Sequence, residues 1–495
     1  MAALLESIPR WTGGYHQQGW QAPSIPIFEL TMAFTIALYL WESYLDMRQH
    51  ARVKATGAAV PADLKTLVAK VDKDTLARKK SEPAPTPPAV AAEKKEGDDE
   101  EKKEQIEDGK MLETLETKAP KSQLYGLDKL GFGMTKGFYK QGENNAFLLL
   151  GAMPLLWDYS EQIAASMGFD PAENEVKVSL IWFGVSTIID EILGTPWAYW
   201  STFVVEDRHG FNKTTIGTFI KDKLISLALT FAIGGPVMFA LLHIIKWGGP
   251  YFYLYVWAFM FCFSIFFLTI FPVYIQPLFN KYTPLEEGPL QKAIYELAGI
   301  CKFPLTKLYV VDGSKRSSHS NAYMYGFGKN KRIVMFDTLI NQMSTKELVA
   351  VLGHEIGHWA YGHVLQNFLI TQIYVLCAFM AFGSFVNSPD LYHAFGFAQM
   401  PTVIGLMLFF QTVWAPVDSV LNFVLTLHSR HKEFSADQYS LNLGYSADLQ
   451  QGLVKMSIEN LSILDPDPMY SLYHHTHPPL LQRLRALQPG SKKKD

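Results

Sequence analysis

Apolar positions run along this chain in long blocks, and seven of them approach the about 20 mostly apolar residues needed to cross a bilayer. They are IFELTMAFTIALYLWESYL (27–45), AFLLLGAMPLLW (146–157), VSLIWFGVSTIIDEIL (178–193), LISLALTFAIGGPVMFALLHII (224–245), YFYLYVWAFMFCFSIFFLTIF (251–271), VLQNFLITQIYVLCAFMAFGSFV (364–386) and TVIGLMLFFQTVWAPVDSVLNFVL (402–425). The second is the weakest, since it has to extend into more polar sequence. Buried core helices of a large soluble protein are the other reading. The nearly continuous apolar run from 224 to 271, turning only at KWGGP, argues against it. Between the fifth and sixth blocks the period changes. TKLYVVDGS (306–314), SNAYMYGFG (320–328) and KRIVMFDTL (331–339) read as strands, the last two joined by a Gly-Lys-Asn turn. The stretch STKELVAVLGHEIGHWAYGH then reads as a helix, capped by Ser344 with Glu347 completing a capping box. The expected fold is mainly α, a bundle of seven transmembrane helices with a small β-sheet outside it.

Charge orders the blocks. The connections 168–176, 247–250 and 387–400 contain no Lys or Arg. The first connection opens with Arg48, Arg52 and Lys54, and the third holds Arg208, Lys213, Lys221 and Lys223. Basic connections stay in the cytosol. The N-terminus is therefore expected in a lumen and the C-terminus in the cytosol. Glu29, Glu42, Asp190, Glu191, His243 and Asp418 lie within the blocks. Ionisable groups in hydrocarbon face a protein interior or a watered cavity unless they sit among headgroups, as suits Glu42. A polar interior is expected around Asp190, Glu191 and Asp418, so the bundle should enclose a chamber. Between about 55 and 120 the apolar pattern fades. SEPAPTPPAVAAEKKEGDDEEKKEQIEDG (81–109) has no aromatic residue and reads as part of a disordered cytosolic insert.

Composition narrows the functions. A net charge of −3 over 495 residues argues against broad nucleic-acid binding. Cys262, Cys301 and Cys377 form no CxxC pair, so neither a disulfide framework nor a cysteine-ligated metal is expected. The first 26 residues are broken by Pro and Gly and lack the form of a signal peptide.

The candidate chemistry lies in VLGHEIGHWAYGH (351–363). His354 and His358 stand four apart, so on a helix they share a face and can bind one ion. A catalytic zinc needs a third protein ligand and an open position. One zinc-peptidase pattern wants a histidine at the position of Val364; His363 is one residue short, and on a continuous helix it would point about 100° away. HSRHKEFSADQYS (428–440) offers Glu433 and Asp437 on one helical face. One carboxylate can bind a metal while the other supports a ligand from behind. A solvated surface helix gives the same pattern. Near the C-terminus His474, His475 and His477 are equivalent by sequence alone.

VLGHEIGHWAYGH, KEFSAD, SKRSSHSNAYMYGF, EDRHGFN and HPPLLQRL together resemble the type I CAAX prenyl proteases, integral-membrane zinc metalloproteases of the endoplasmic reticulum. The resemblance runs from the first span to Arg483, leaving out the N-terminal tail and the acidic insert. It implies His354, His358 and Glu433 as ligands of one zinc ion, Glu355 as general base and Asp437 as support behind a ligand. It implies His477 as the donor facing the developing oxyanion, Arg483 as its basic partner, and Asn321 and His319 as substrate-facing. EDRHGFN, with Glu206, Arg208 and His209, is expected to link structure near the chamber. The implied substrate is a prenylated protein ending in C-a-a-X, from which the aaX tripeptide is removed, with a second upstream cut known in some members. Membrane lipids are the other expected partners.

The chain then divides into a lumenal tail (1–26), five spans carrying the insert (27–271), and a cytosolic metalloprotease segment with the sheet and the His-Glu-x-x-His helix (272–363). Two further spans (364–425) and a cytosolic segment with the third ligand and a basic tail (426–495) complete it. Lys492 and Lys493 resemble a dilysine retrieval signal of the endoplasmic reticulum, whose membrane is continuous with the inner nuclear membrane. Three other functions share parts of the pattern. A quality-control membrane peptidase would share every zinc residue. An intramembrane site-2 protease would place His-Glu-x-x-His inside a span, but here Thr345, Lys346 and Glu347 lead into the motif. A silent channel or transporter would not require an intact zinc set.

Overall fold

The computed structural model describes residues 11–81, 105–326 and 328–488, and in them helix dominates beside one small mixed sheet. The chain begins with α1 (Ile27–Thr56), α2 (Ala62–Ser81), α3 (Met111–Leu149), α4 (Ala152–Ser166) and α5 (Glu175–Trp200). The apolar pair α6 (Ile216–Trp247) and α7 (Gly249–Leu278) follows. Next come β1 (Tyr282–Pro284), α8 (Pro289–Ile300), β2 (Leu305–Val311), β3 (Ala322–Tyr325), β4 (Lys331–Phe336) and α9 (Thr345–Ala360). The chain continues with α10 (His363–Phe382), α11 (Thr402–Val413) and α12 (Ala415–Asn442), then α13 (Ser446–Glu459), α14 (Pro468–His474) and α15 (Leu480–Ala486).

Among the described residues α6, α7 and α10 are each long and apolar enough to cross a membrane, and α11 with α12, bent by 58°, pass as a pair. Large apolar side chains such as Leu224, Phe266 and Ile373 project outward from them, 63%, 57% and 63% exposed. Contiguous apolar surface of that kind is stable against lipid, not water. Two of the polar groups inside the blocks have side-chain partners: Glu191 pairs with Lys223 at 2.9 Å, and Asp418 accepts from the Tyr374 hydroxyl at 2.7 Å.

Two expectations need correction. The block 146–157 is not one helix: α3 ends at Leu149, and Gly151 adopts a left-handed φ of 65° before α4. A Cβ on Gly151 would stand 2.4 Å from the Tyr15 carbonyl oxygen, so the N-terminal segment crosses where the helix breaks. The insert is also not uniformly disordered. Leu64, Val68 and Val71 form an apolar face on α2 that packs with Met111, Leu115 and Leu484. The Asp72 carboxylate accepts the Met111 and Leu112 N–H groups at 3.1 and 2.9 Å, satisfying free donors at the start of α3. Average composition concealed that spacing. Residues 82–104, like the dilysine at 492–493, lie outside the described residues.

The sheet has the order β1-β2-β4-β3; β2 and β4 run parallel and the outer pairs antiparallel. The expected β3–β4 pairing is present, and β1, which the sequence did not announce, adds the other edge. Ile333 and Met335 of β4 pack with Leu297 of α8 and with Val349, Leu352 and Ile356 of α9. This core fixes α9 to the sheet.

Polar contacts gather at two opposite ends of the long helices. At one end the Tyr15 hydroxyl donates to Asp158, and the Gln17 N–H donates to the Gly396 carbonyl at 2.9 Å. There too Glu175 takes Lys246 at 2.5 Å and the Thr402 N–H at 2.9 Å. At the other end Arg48 pairs with Asp467 at 2.9 Å and Arg52 with Asp465 at 2.7 Å, while Asn212 bridges to Ser317 beside the sheet.

Candidate metal centre

The centre rests on α9. The Ser344 N–H donates to Glu347 Oε2 at 2.8 Å and the Glu347 N–H to Ser344 Oγ at 3.4 Å, the capping box expected from the sequence. Glu347 also meets Lys455 at 2.7 Å, with both side chains almost completely buried. The helix then presents His354 and His358 one turn apart, as the four-residue spacing requires.

A glycine between them sets the third donor. A Cβ on Gly357 would meet Tyr439 Cβ at 2.9 Å and Ala436 Cα at 3.1 Å, so α12 lies directly against α9. That approach carries Glu433 to the histidines. His354 Nε2 and His358 Nε2 are 3.2 Å apart, and Glu433 oxygens stand 3.5 and 3.3 Å from them. Donors placed about 2.0–2.2 Å from a tetrahedral ion stand about 3.4 Å from one another. The set therefore fits a zinc-sized ion with a fourth position open to solvent or substrate.

Each histidine is held from behind. Asp437 Oδ1 lies 2.8 Å from His354 Nδ1. Asp437 is itself gripped by the Arg483 fork, Nε and Nη2 donating to its two oxygens at 2.9 and 2.6 Å. Arg483 Nη1 comes only to 3.9 Å from Glu433, so most of this guanidinium is committed to Asp437. His358 Nδ1 stands 2.9 Å from His363 Nδ1, and His363 Nε2 is 3.3 Å from Ser435 Oγ, which donates to the Lys432 carbonyl at 2.7 Å. A metal on His358 Nε2 leaves that ring's proton on Nδ1. It then donates to His363 Nδ1, whose own proton sits on Nε2 toward Ser435.

His363 therefore faces the back of His358 through Nδ1, where a continuous helix would have pointed it away. The helix stops at Ala360, Gly362 takes a left-handed φ of 67°, and the reversal returns His363 to His358. Sequence reasoning also passed over Ser435, although it stands inside KEFSAD between Glu433 and Asp437.

The three C-terminal histidines separate. His477 Nδ1 is 2.8 Å from Glu433 Oε2, and that hydrogen bond holds its pKa above the usual histidine value against burial. His475 is pushed down to about 4 by burial and by Arg430, and His474 is lowered by burial. Glu355, His354, Glu433, His477, Arg483 and Asn321 line a cavity of about 140 Å³. Asn321, His477 and Arg483 also line a neighbouring cavity of about 880 Å³ that reaches Tyr125, Lys129 and Asp46.

Asn321 precedes the edge strand β3 and is exposed. His319 is more committed: Nδ1 is 3.0 Å from Asn460 Oδ1, Nε2 is 3.4 Å from Glu206, and the ring stacks on Phe211 at 4.1 Å. Glu206 also accepts from the Tyr125 hydroxyl at 2.9 Å, and His209 lies 2.8 Å from Asp128. EDRHGFN therefore ties α3 to the approach of the sheet, and His319 is an anchor on the wall of the larger cavity.

Comparison with known proteins agrees along nearly the full length. The family model described as CAAX prenyl protease N-terminal, five membrane helices, matches residues 111–281, and that of Peptidase family M48 matches residues 284–490. The CAAX prenyl protease 1 homolog of Arabidopsis thaliana is 41% identical, with 95% of this chain and 100% of that protein covered. The Homo sapiens homolog is 37% identical with 95% and 97% covered, and CAAX prenyl protease 1 of Saccharomyces cerevisiae is 34% identical with 95% and 97% covered. The crystal structure of S. mikatae Ste24p has the same fold, with a TM-score of 0.78 at 33% identity over 94% of this chain and 100% of that one. The chain belongs to the CAAX prenyl protease 1 group of Peptidase family M48 and is a multi-pass membrane metallopeptidase.

Proposed function

We propose that this chain is a zinc endopeptidase that removes the aaX tripeptide from farnesylated or otherwise prenylated CaaX proteins. The observation that carries the proposal is the convergence of His354, His358 and Glu433, with Glu355 beside them, on a cavity that shares its wall with one several times larger. A zinc ion held by His354, His358 and Glu433 would supply Lewis-acid chemistry at this site. Glu355, open to the cavity, takes the proton of the attacking water and returns it to the leaving amine. His477 is fixed through Nδ1 and has no protein partner at Nε2 among the described residues, which leaves that atom for the carbonyl oxygen as it gains charge. Arg483 acts through Asp437, holding His354 in the tautomer that presents Nε2. The edge strand β3 after Asn321 offers backbone groups to an extended peptide. A prenylated precursor presents the same site with a second, upstream bond.

In this reading α1, α3, α5, α6, α7, α10 and the α11–α12 pair cross the endoplasmic-reticulum membrane seven times around a chamber, with the inner nuclear membrane continuous with it. The N-terminus is lumenal and the C-terminus cytosolic. The support is the grouping of polar contacts. The connections without basic residues meet one another at one end, and Arg48, Arg52 and the zinc donors lie toward the other. The large cavity then has room for a prenyl chain, whose transfer to apolar surroundings is worth about 0.8 kcal/mol per CH2.

The test is cleavage of a farnesylated CaaX peptide and its unprenylated twin by the purified full chain, with and without a chelator. Cleavage that needs metal and favours the prenylated peptide is expected. Equal cleavage of both would instead indicate a broad quality-control peptidase, and no cleavage by metal-loaded protein would indicate a silent channel. Protease accessibility of a C-terminal tag on sealed microsomes checks the orientation; a protected tag overturns it.

A further inference from the structure

We propose that a third cavity, at the membrane boundary and away from the metal centre, is a binding site for an anionic phospholipid headgroup. It has a volume of about 600 Å³ and lies where α6 begins and α7 ends. Four cations, Lys221, Lys281, Lys315 and Arg332, line it against one carboxylate, Asp312.

The cations are not neutralised by the protein. No carboxylate forms an ion pair with Lys221, Lys281 or Lys315 among the described residues. The two acidic groups nearest in sequence form no ion pair with these lysines. Asp222 is taken by both arms of Arg316, at 2.8 and 2.9 Å, and Asp312 accepts the Lys281 backbone N–H at 2.7 Å. Arg332 lies over the Tyr325 ring, 5.6 Å from its centre, with Nη1 3.4 Å from the hydroxyl. These contacts fix the walls while leaving the positive charge unspent.

The position selects a lipid as the source of the anion. Ile220 and Leu224 of α6 and Tyr274 and Leu278 of α7 are 52%, 63%, 65% and 46% exposed beside the cavity. At the far ends of the same two helices Trp247 and Tyr251 are 78% and 61% exposed, as aromatic residues are at the opposite headgroup layer. A phosphate in the cavity would thus sit at headgroup depth, with acyl chains lying along α6 and α7. Basic pockets between membrane helices at this depth hold anionic headgroups.

The experiment is native mass spectrometry of the detergent-solubilised full chain, titrated with phosphatidylinositol, with phosphatidylcholine of the same acyl chains, and with free inositol phosphate. Phosphatidylinositol should be retained at least about tenfold more tightly than phosphatidylcholine, and free inositol phosphate should bind far more weakly. Each neutralised lysine should weaken retention about fivefold, so Lys281→Gln with Lys315→Gln gives about twenty-five-fold and the double Glu variant more. Lys292→Glu, an exposed charge on α8 outside the cavity, should change nothing. Equal retention of the two lipids, an equal loss with Lys292→Glu, or free inositol phosphate binding as tightly as the lipid would each overturn the proposal.

Discussion

Gly357 offers the sharpest test of how the metal centre is assembled. In Gly357→Ala the new methyl would stand 2.9 Å from Tyr439 Cβ and 3.1 Å from Ala436 Cα. Carbon atoms are comfortable at about 3.5–4.0 Å. Both obstacles belong to α12, and one is main chain, so no rotamer change removes the clash; α12 must back away by roughly 0.5 Å. Overpacking of this kind costs about 1–3 kcal/mol, while exchanging Gly for Ala inside a helix returns about 1 kcal/mol. Global stability should therefore fall by no more than about 2 kcal/mol. The metal centre has far less slack, since ligand distances hold within about 0.2 Å, and Glu433 lies one turn from Ala436 on the displaced helix. Zinc affinity should drop by tenfold or more with the fold intact. Gly353→Ala is the control: its Cβ crowds only a side-chain atom, Ser440 Oγ at 3.2 Å, which can rotate at the cost of its hydrogen bond to the Ala350 carbonyl and without moving α12. Chelator-competition titration and thermal unfolding of the three proteins read the two quantities separately. Wild-type zinc affinity in a folded Gly357→Ala protein would refute the role assigned to the close helix approach.

Three further outcomes follow from the same geometry. Glu355→Gln should keep its metal, because every donor remains, and lose about 10²–10⁴-fold in turnover; near-normal cleavage by the metal-loaded variant would remove Glu355 as the base. Glu433→Ala should abolish tight binding. His363→Ala, which leaves His358 Nδ1 without its acceptor, should weaken zinc by about tenfold, with partial rescue by His363→Gln; a chelator titration in which His363→Ala costs more than Glu433→Ala would reverse their roles. Lys455→Ala strands the Glu347 carboxylate in a site where both side chains are almost fully buried and should cost about 3–5 kcal/mol in thermal unfolding, whereas Lys455→Met with Glu347→Gln should cost much less. A double variant as unstable as the single one would show that the pair is not the source of the loss.

The fold was legible wherever one period persisted. α6, α7 and α10 follow from unbroken apolar runs, and the β3–β4 hairpin from two short strands around a turn. The misses have particular causes. The apolar run at 146–157 gave no sign that Gly151 would turn left-handed, because what forces the turn is the N-terminal segment more than a hundred positions earlier, donating from the Tyr15 N–H to the Leu150 carbonyl. α2 was lost in the average of a Pro-, Glu- and Lys-rich stretch. Its apolar positions at 64, 68 and 71 gain meaning only against α13 and α15.

The metal centre divides along the same line between local and distant contacts. The two histidines of the donor set sit four apart on one helix, so spacing alone exposed them as a pair. Glu433 and Asp437 were visible as a pair, but which one binds depends on how α12 crosses α9. That crossing is written in Gly357, whose absent side chain carries no chemistry to notice. Once the helices touch, the two carboxylates take different positions. Asp437 meets His354 at Nδ1, the nitrogen turned away from the other ligand, and its remaining valence is filled by Arg483. Glu433 faces Nε2 of both histidines and is the carboxylate proposed as the third ligand. His363 completes the same logic for His358, and the sequence concealed it because a continuous helix was assumed through Gly362. In the proposed centre one helix bears two ligands, a second bears the third ligand and the carboxylate behind His354, and Gly357 lets them meet. Any substitution that separates the helices should act on the metal before it acts on the fold.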